Sequence, residues 1–213
     1  MRFDAGFGLL IFLLTPAIAI PALAYDYPLS DSAIRDAYFL GKSSDDKISE
    51  MFEKYTQRPP LPETGAHIAS VVLETPYVRV VEHSREMLNY SAPTAEEDFL
   101  GKPGIFLLRV QVDLTDSYGW QIPSPAGTIH LRPDDFWKDF TVRLIQKEEI
   151  PSKSLRGNPI YSSGGEGSSS FLIGAMVELT YDAEKIKSDD AKVEVCGPDG
   201  QKVEAIFDLA ALR

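Results

Sequence analysis

Cysteine is almost absent from this chain, in which Cys196 is the single one among 213 residues. No disulfide can therefore form within the chain, and the fold must be held together by its hydrophobic core. A lone cysteine in an alternating strand pattern predicts a small, mostly buried side chain rather than a reactive thiol.

Basic residues are also scarce. The chain has 21 Lys and Arg against 32 Asp and Glu, which gives a formal net charge of -11 at pH 7. No cluster of Lys and Arg locally reverses this sign, and a negative surface repels nucleic acids and anionic lipids. We therefore expect no nucleic-acid partner.

Long apolar runs are missing everywhere except at the N-terminus. There, Arg2 precedes the apolar run Phe7–Leu14, and the small-residue sequence Ala22–Ala24 comes directly before Tyr25. This order is typical of a secretory signal peptide, and we interpret residues 1–24 as one. The alternative is an uncleaved membrane anchor, which the two prolines of the segment and its small-x-small ending disfavour. We expect an exported protein, periplasmic or extracellular, without stable membrane insertion after cleavage.

Motifs that commit a chain to one reaction are lacking as well. Gly41–Ser43 resembles the end of a phosphate-binding loop but lacks the preceding glycine and strand that this motif needs. The serine-rich segment 162–170 has no Gly-x-Ser-x-Gly elbow. His67, His83 and His130 lack the spacing of zinc ligands, and the paired acidic residues lack that of a calcium loop. We predict no catalytic residue, no metal site and no cofactor.

Two helical patterns follow the signal segment. The first begins after a Ser30 cap and ends at Gly41. The second begins at the Ser44–Asp46 cap and repeats apolar residues at spacings of three and four as far as Tyr55. Each has one apolar stripe, so the pair is expected to lie against another part of the protein.

The proline-rich stretch 58–62 marks a boundary, because consecutive prolines force an extended connection. Residues 25–62 are accordingly interpreted as a helical pair with its linker, and residues 63–213 as the main domain.

After this boundary the apolar period changes from helical to two, which indicates strands. Gly104–Leu114 and Phe171–Tyr181 are the longest alternating runs, and we expect them to be neighbours at the core. Both runs become polar on their second face in their later half, as at Arg109 and Glu178. The helical pair is therefore expected to cover the apolar half of that face, and the polar half to be solvated.

The remaining strand patterns are shorter. Ile68–Leu73 and Tyr77–Val81 are β-branched runs separated by Glu74–Pro76, which predicts a hairpin or a bent edge strand. Two amphipathic arms flank the turn Gly197–Gly200 and predict a second hairpin. About eight strands without long intervening helices predict a mostly β protein. Its expected fold is an antiparallel β-sandwich of immunoglobulin-like or jelly-roll type with a short N-terminal α-helical segment.

The most suggestive residues outside the predicted core are aromatic. Tyr118 and Trp120 follow the central strand, and Phe136 and Trp137 precede another strand. Aromatic side chains at the end of a sandwich can bind a sugar ring or a protein, so we take these four as candidate ligand-binding residues.

The function that the sequence favours is that of an exported, non-catalytic binding or interaction module with a protein or carbohydrate partner. The alternative is a secreted hydrolase of glycosides or esters, with a site at one end of the sandwich formed by acidic or serine-rich loops.

Overall fold

The computed structural model describes residues 25–124, 127–162 and 170–213. The predicted signal segment 1–24 and most of the serine-rich segment lie outside these described residues. This described part of the chain is mostly β, with antiparallel sheets and four α-helices. The helices are α1 (Asp31–Gly41), α2 (Asp45–Lys54), α3 (Pro76–Glu86) and α4 (Ala92–Phe99). In the described ranges, no helix is both long and apolar enough to cross a membrane.

The strands form two larger sheets and one separate hairpin. The first sheet has the order β1-β2-β3-β9-β8, the second the order β11-β10-β6-β7, and β4 pairs only with β5. The strands are β1 (Thr56–Gln57), β2 (His67–Glu74), β3 (Ile105–Asp113), β4 (Gln121–Pro123), β5 (Ile129–Leu131), β6 (Thr141–Ile145), β7 (Glu149–Ile150), β8 (Ser154–Tyr161), β9 (Leu172–Asp182), β10 (Asp190–Cys196) and β11 (Lys202–Asp208).

The two longest strands are neighbours, as the sequence predicted. β3 lies at the centre of the first sheet and pairs with β9 in antiparallel register, with Val110 opposite Val177. One face of β3 is fully buried through Phe106, Leu108, Val110 and Val112. The alternation in the sequence therefore identified the face of the strand that forms the core.

The second predicted hairpin is also confirmed. β10 pairs with β11 over its full length, and Val193 lies opposite Ala205. Gly200 in the connecting turn has a φ of +84°, a backbone conformation that glycine adopts without steric cost. Val193 and Ala205 belong to the same buried cluster as Val110 and Val177, so the two larger sheets share one core.

The predicted strand Tyr77–Val81 is wrong, because these residues form the first half of α3. Thr75 is the N-cap of this helix and accepts a hydrogen bond from the backbone N–H of Val78 through its hydroxyl. Pro76 occupies the first turn, where its missing N–H has no intrahelical partner to lose. The Thr-Pro pair therefore starts a helix instead of bending a strand.

This additional helix is also the centre of a helical layer. Tyr77, Val80 and Val81 of α3 pack with Ile34 and Ala37 of α1 in a second buried cluster, to which α4 contributes Ala95. α3 also reaches the main core, through Val78. The sequence predicted that the two N-terminal helices cover the first sheet. In the structure, α1 packs chiefly on α3 and α4.

The N-terminal segment also supplies an edge strand. Thr56 and Gln57 form β1, which pairs with β2 through Thr56 opposite Val72 and Gln57 opposite Val71. The proline-rich stretch 58–62 then returns the chain to β2. Residues on both sides of this stretch thus belong to the same sheet.

Candidate binding surface

The β4–β5 hairpin differs from every other described sheet in having no buried face. Its register places Gln121 opposite Leu131, Ile122 opposite His130 and Pro123 opposite Ile129. All six residues are exposed. No residue of the hairpin is therefore buried against the body of the protein.

Large apolar side chains occupy both faces of this hairpin. Ile129 and Leu131 share one face and are 62% and 67% exposed, and Ile122 on the other face is 36% exposed. A two-stranded hairpin is at best marginally stable in water unless it packs against something else. The exposed apolar groups on this hairpin make it a candidate binding surface.

Arg132 connects the hairpin to the body. Its backbone N–H donates to the carbonyl oxygen of Trp120 at 2.7 Å, and its Nε donates to the carbonyl oxygen of Gly119 at 2.8 Å. The guanidinium carbon lies 3.6 Å from the ring centroid of Tyr118. Arg132 thus holds the base of both strands through its backbone, its side-chain hydrogen bond and a cation–π contact.

Trp120 extends the apolar surface towards β9. Its ring stacks on that of Phe171, with centroids 5.9 Å apart and planes inclined by 28°. Phe171 is 46% exposed, and its backbone N–H donates to the hydroxyl of Ser162 at 3.0 Å. The stack therefore joins the hairpin to the end of the β8–β9 pair. We call the exposed side chains of this region the hairpin surface. It consists of Trp120, Ile122, Ile129, Leu131 and Phe171.

The four aromatic residues singled out in the sequence occupy different environments. Trp120 is 37% exposed, whereas Phe136 is 1% exposed and belongs to the main core. Tyr118 is half-buried, and its ring lies 6.5 Å from that of Phe136. Trp137 is half-buried over Gly157 of β8, where a Cβ would lie 2.1 Å from the indole ring. Of the four, Trp120 alone is part of the hairpin surface.

The aliphatic members of the hairpin surface were not singled out in the sequence. Residues Thr128–Leu131 were predicted from the sequence only as a short strand. The strand forms as β5, and its apolar side chains face solvent. Two apolar residues on one face of a short strand cannot show whether that face is buried, because burial depends on distant parts of the chain.

A group of charged side chains lies on the outer face of the first sheet. Arg109 of β3 contacts the carboxylate of Glu74 of β2, and its Nε donates to Glu178 of β9 at 3.0 Å. Its Nη1 is 3.9 Å from Oε1 of Glu82, on α3. Burial and the neighbouring Glu82 raise the pKa of Glu74 to about 7, against a smaller lowering by Arg109. Burial also raises the pKa of Glu82.

A carboxyl group with a raised pKa can serve as a general acid when it reaches a substrate. Glu74 is only 2% exposed, so a substrate has no access to it in this conformation. The group links three strands to α3, and its position is that of a structural ion network.

The histidines do not converge. His67 Nε2 lies 3.3 Å from the carbonyl oxygen of Pro59, and His130 Nε2 lies 3.3 Å from the hydroxyl of Thr128. His83 is on α3. Within the parts of the chain that the structure describes, no three His, Cys, Asp or Glu side chains are grouped so as to hold a metal ion.

Comparison with protein-family models, with curated proteins and with solved structures finds no match to this chain. The chemistry of its surfaces is therefore the basis for a functional hypothesis.

Proposed function

We propose that this protein is an exported, non-catalytic binding module that recognises a partner protein through the hairpin surface. One observation carries the proposal: a two-stranded hairpin whose six residues are all exposed presents Ile122, Ile129 and Leu131 to solvent. Contact with an apolar patch on a partner would remove Ile129 and Leu131, which share one face, from water. It would also support a hairpin that has little support of its own.

A protein partner fits this surface better than a carbohydrate does. Sugars are bound by an open aromatic face together with polar groups that satisfy their hydroxyls. Here the ring of Trp120 is stacked on Phe171, and Ile122, Ile129 and Leu131 of the hairpin are aliphatic, with no capacity for hydrogen bonds. Exposed aromatic and aliphatic side chains are typical of protein interfaces.

The two larger sheets support a sandwich as the scaffold of this module. Their inward residues, such as Val110 and Val193, belong to one buried cluster. All strand pairs are antiparallel. We propose that the sheets pack face to face, and the immunoglobulin-like or jelly-roll assignment of this sandwich stays a prediction.

Export is part of the proposal, and it depends on the signal-like residues 1–24. Tyr25, at which the mature chain would begin, is 5% exposed, and its hydroxyl donates to the carbonyl oxygen of Ala183 at 2.9 Å. Cleavage before Tyr25 would thus keep these contacts of Tyr25. N-terminal sequencing of the protein recovered outside the cytoplasm should give Tyr25 as the first residue, and a start at Met1 would contradict cleavage.

Site-specific photo-crosslinking in cells that make the protein can identify the partner. A photoreactive side chain at Leu131 should give one dominant polypeptide adduct, which mass spectrometry then identifies. The matched control is Leu61, which is 71% exposed against 67% for Leu131. Equal adducts at the two positions, or an adduct to a glycan, would contradict the proposal.

Binding of the identified partner is then measured with purified proteins. The double variant I129E/L131E should weaken binding by about a hundredfold, because two charges would have to be desolvated in an apolar contact. L61E should bind as the wild type does. Unchanged affinity of I129E/L131E would show that the hairpin surface is not the interface.

The alternative of a secreted hydrolase has no specific support. Glu74, the carboxyl group with the raised pKa, is buried away from solvent. Residues 163–169 of the serine-rich segment lie outside the described part of the chain.

A further inference from the structure

A cleft of about 550 Å³ lies on the helical side of the protein, away from the residues of the hairpin surface. Its walls come from the segment before α1, from α3, and from the connection between α4 and β3. This volume falls within the range of small-molecule sites, about 300 to 1,000 Å³. Half of the lining is apolar. The apolar side chains are Leu29, Pro76, Met87, Phe99, Pro103 and Ile105.

More basic than acidic side chains line the cleft, although the formal net charge of the chain is -11. Arg79 and Lys102 line it, and neither is within ion-pair distance of a carboxylate among the described residues. Arg79 does not form an ion pair with Glu74, but its charge offsets a small part of the rise in the pKa of Glu74. Asp98 is the one carboxylate in the lining, and it accepts a hydrogen bond from the hydroxyl of Tyr90 at 2.9 Å.

His83 belongs to the same wall. Its Nδ1 is buried and has no hydrogen-bond partner among the described residues, so this atom is closed to solvent. The ring is held by edge contacts, with centroids 5.5 Å from that of Phe99 and 6.4 Å from that of Tyr90. His83 therefore contributes its ring to the wall of the cleft.

We propose that this cleft binds a small organic anion, a carboxylate joined to an apolar chain or ring. The two cations of the lining, Arg79 and Lys102, attract the carboxylate. Phe99 and Ile105 belong to the apolar wall that takes the body of the ligand. This site is independent of the partner protein proposed above, because it shares no residue with the hairpin surface.

Titration of the purified protein with decanoate tests the site. Saturable shifts of the amide signals of Arg79, His83 and Lys102 in two-dimensional NMR spectra are expected. Acetate lacks the apolar body and decylammonium lacks the negative charge, so neither should give saturable shifts at these positions. Equal binding of decylammonium and decanoate would overturn the proposal, since it would show adsorption of the alkyl chain alone.

Charge-removing variants then test the two cations. R79Q and K102Q should each weaken decanoate binding by about tenfold, the usual effect of losing one charge-assisted hydrogen bond. K54Q on α2 removes the same charge from an exposed position outside the cleft and serves as the control. If R79Q fails to fold, K102Q still decides, because Lys102 is exposed. Equal affinity of K102Q and K54Q would overturn the assignment.

Discussion

Arg109 of β3 and Glu178 of β9 lie directly opposite each other in the first sheet and are joined by a hydrogen bond of 3.0 Å between Nε and Oε1. The same guanidinium contacts the buried carboxylate of Glu74, and Glu82 of α3 lies 3.9 Å from it. Three carboxyl groups thus surround one cation. The negative excess is relieved when Glu74, the most buried of the three, keeps its proton.

We expect this arrangement to make stability fall as the pH rises from about 4.5 to about 7. Burial and Glu82 raise the pKa of Glu74 from its ordinary 4.5 to about 7 in the folded protein. In this window the unfolded chain releases the proton that the folded protein retains, so the stabilisation by protonated Glu74 is complete below pH 4.5. It is lost as the pH passes 7, and the loss amounts to about 1–3 kcal/mol.

Urea unfolding at several pH values between 4.5 and 8 measures this effect. E74Q replaces the protonated carboxyl by a neutral amide, so the variant should have a clearly smaller slope, to which Glu82 still contributes, and should exceed the wild type in stability at pH 8. E97Q removes an exposed carboxylate on α4 and should retain the slope of the wild type. Parallel pH profiles for E74Q and the wild type would show that Glu74 does not titrate in this range.

Gly157 and Trp137 offer a test of packing on the edge strand β8. A Cβ at Gly157 would lie 2.1 Å from two carbons of the indole ring, so the ring must move in G157A. We expect G157A to lower the free energy of unfolding by about 1–3 kcal/mol. Thermal unfolding and tryptophan fluorescence measure the loss of stability and the displaced ring.

The W137A background decides whether this contact is the cause. G157A should cost little there, because the clashing ring is gone, and the two substitutions should be strongly non-additive. Additive losses of stability would show that G157A acts through the backbone at position 157 and not through a clash with the ring of Trp137. A structural role for Trp137 would also separate it from Trp120, whose ring is more accessible.

The N-cap of α3 gives a further expectation. The hydroxyl of Thr75 accepts from the N–H of Val78 at 3.3 Å and donates to the carbonyl oxygen of Arg213 at 2.6 Å. T75A removes both hydrogen bonds at a buried position and should lower the free energy of unfolding by about 1–3 kcal/mol. T75S keeps the hydroxyl and should lose clearly less. Equal losses in denaturant unfolding would assign the effect to the methyl group.

The same helix shows why part of the fold escaped the sequence patterns. Tyr77, Val80 and Val81 face the helical cluster, while Val78 faces the main core. Burial on opposite sides removes the single apolar stripe by which an amphipathic helix is identified, and β-branched residues then suggest a strand. The long strands β3 and β9 were predictable because one face of β3 is buried along its whole length and one face of β9 is buried from Ala175 to Tyr181.

The charged group around Arg109 and the hairpin surface were not predictable for a different reason. Glu74, Glu82 and Glu178 are separated in sequence and meet only when β2, α3 and β9 are in place. The polar half of the second face was expected to be solvated, whereas the charged side chains there are partly buried under α3. The alternating pattern of a short strand such as β5 predicts the strand itself. Which of its faces packs against the rest of the protein depends on the complete fold.

Arg132 is expected to control the order of the β4–β5 hairpin. Its hydrogen bonds to Trp120 and Gly119 and its contact with Tyr118 are the described attachments at the base of the hairpin. R132A removes the side-chain attachments, so hydrogen exchange of the β4 and β5 amides should accelerate about tenfold, while that of β3 stays unchanged. R156A, an exposed arginine on β8, is the control. Exchange that accelerates throughout the protein would indicate global destabilisation, and unchanged exchange would show that the backbone hydrogen bonds of the hairpin suffice.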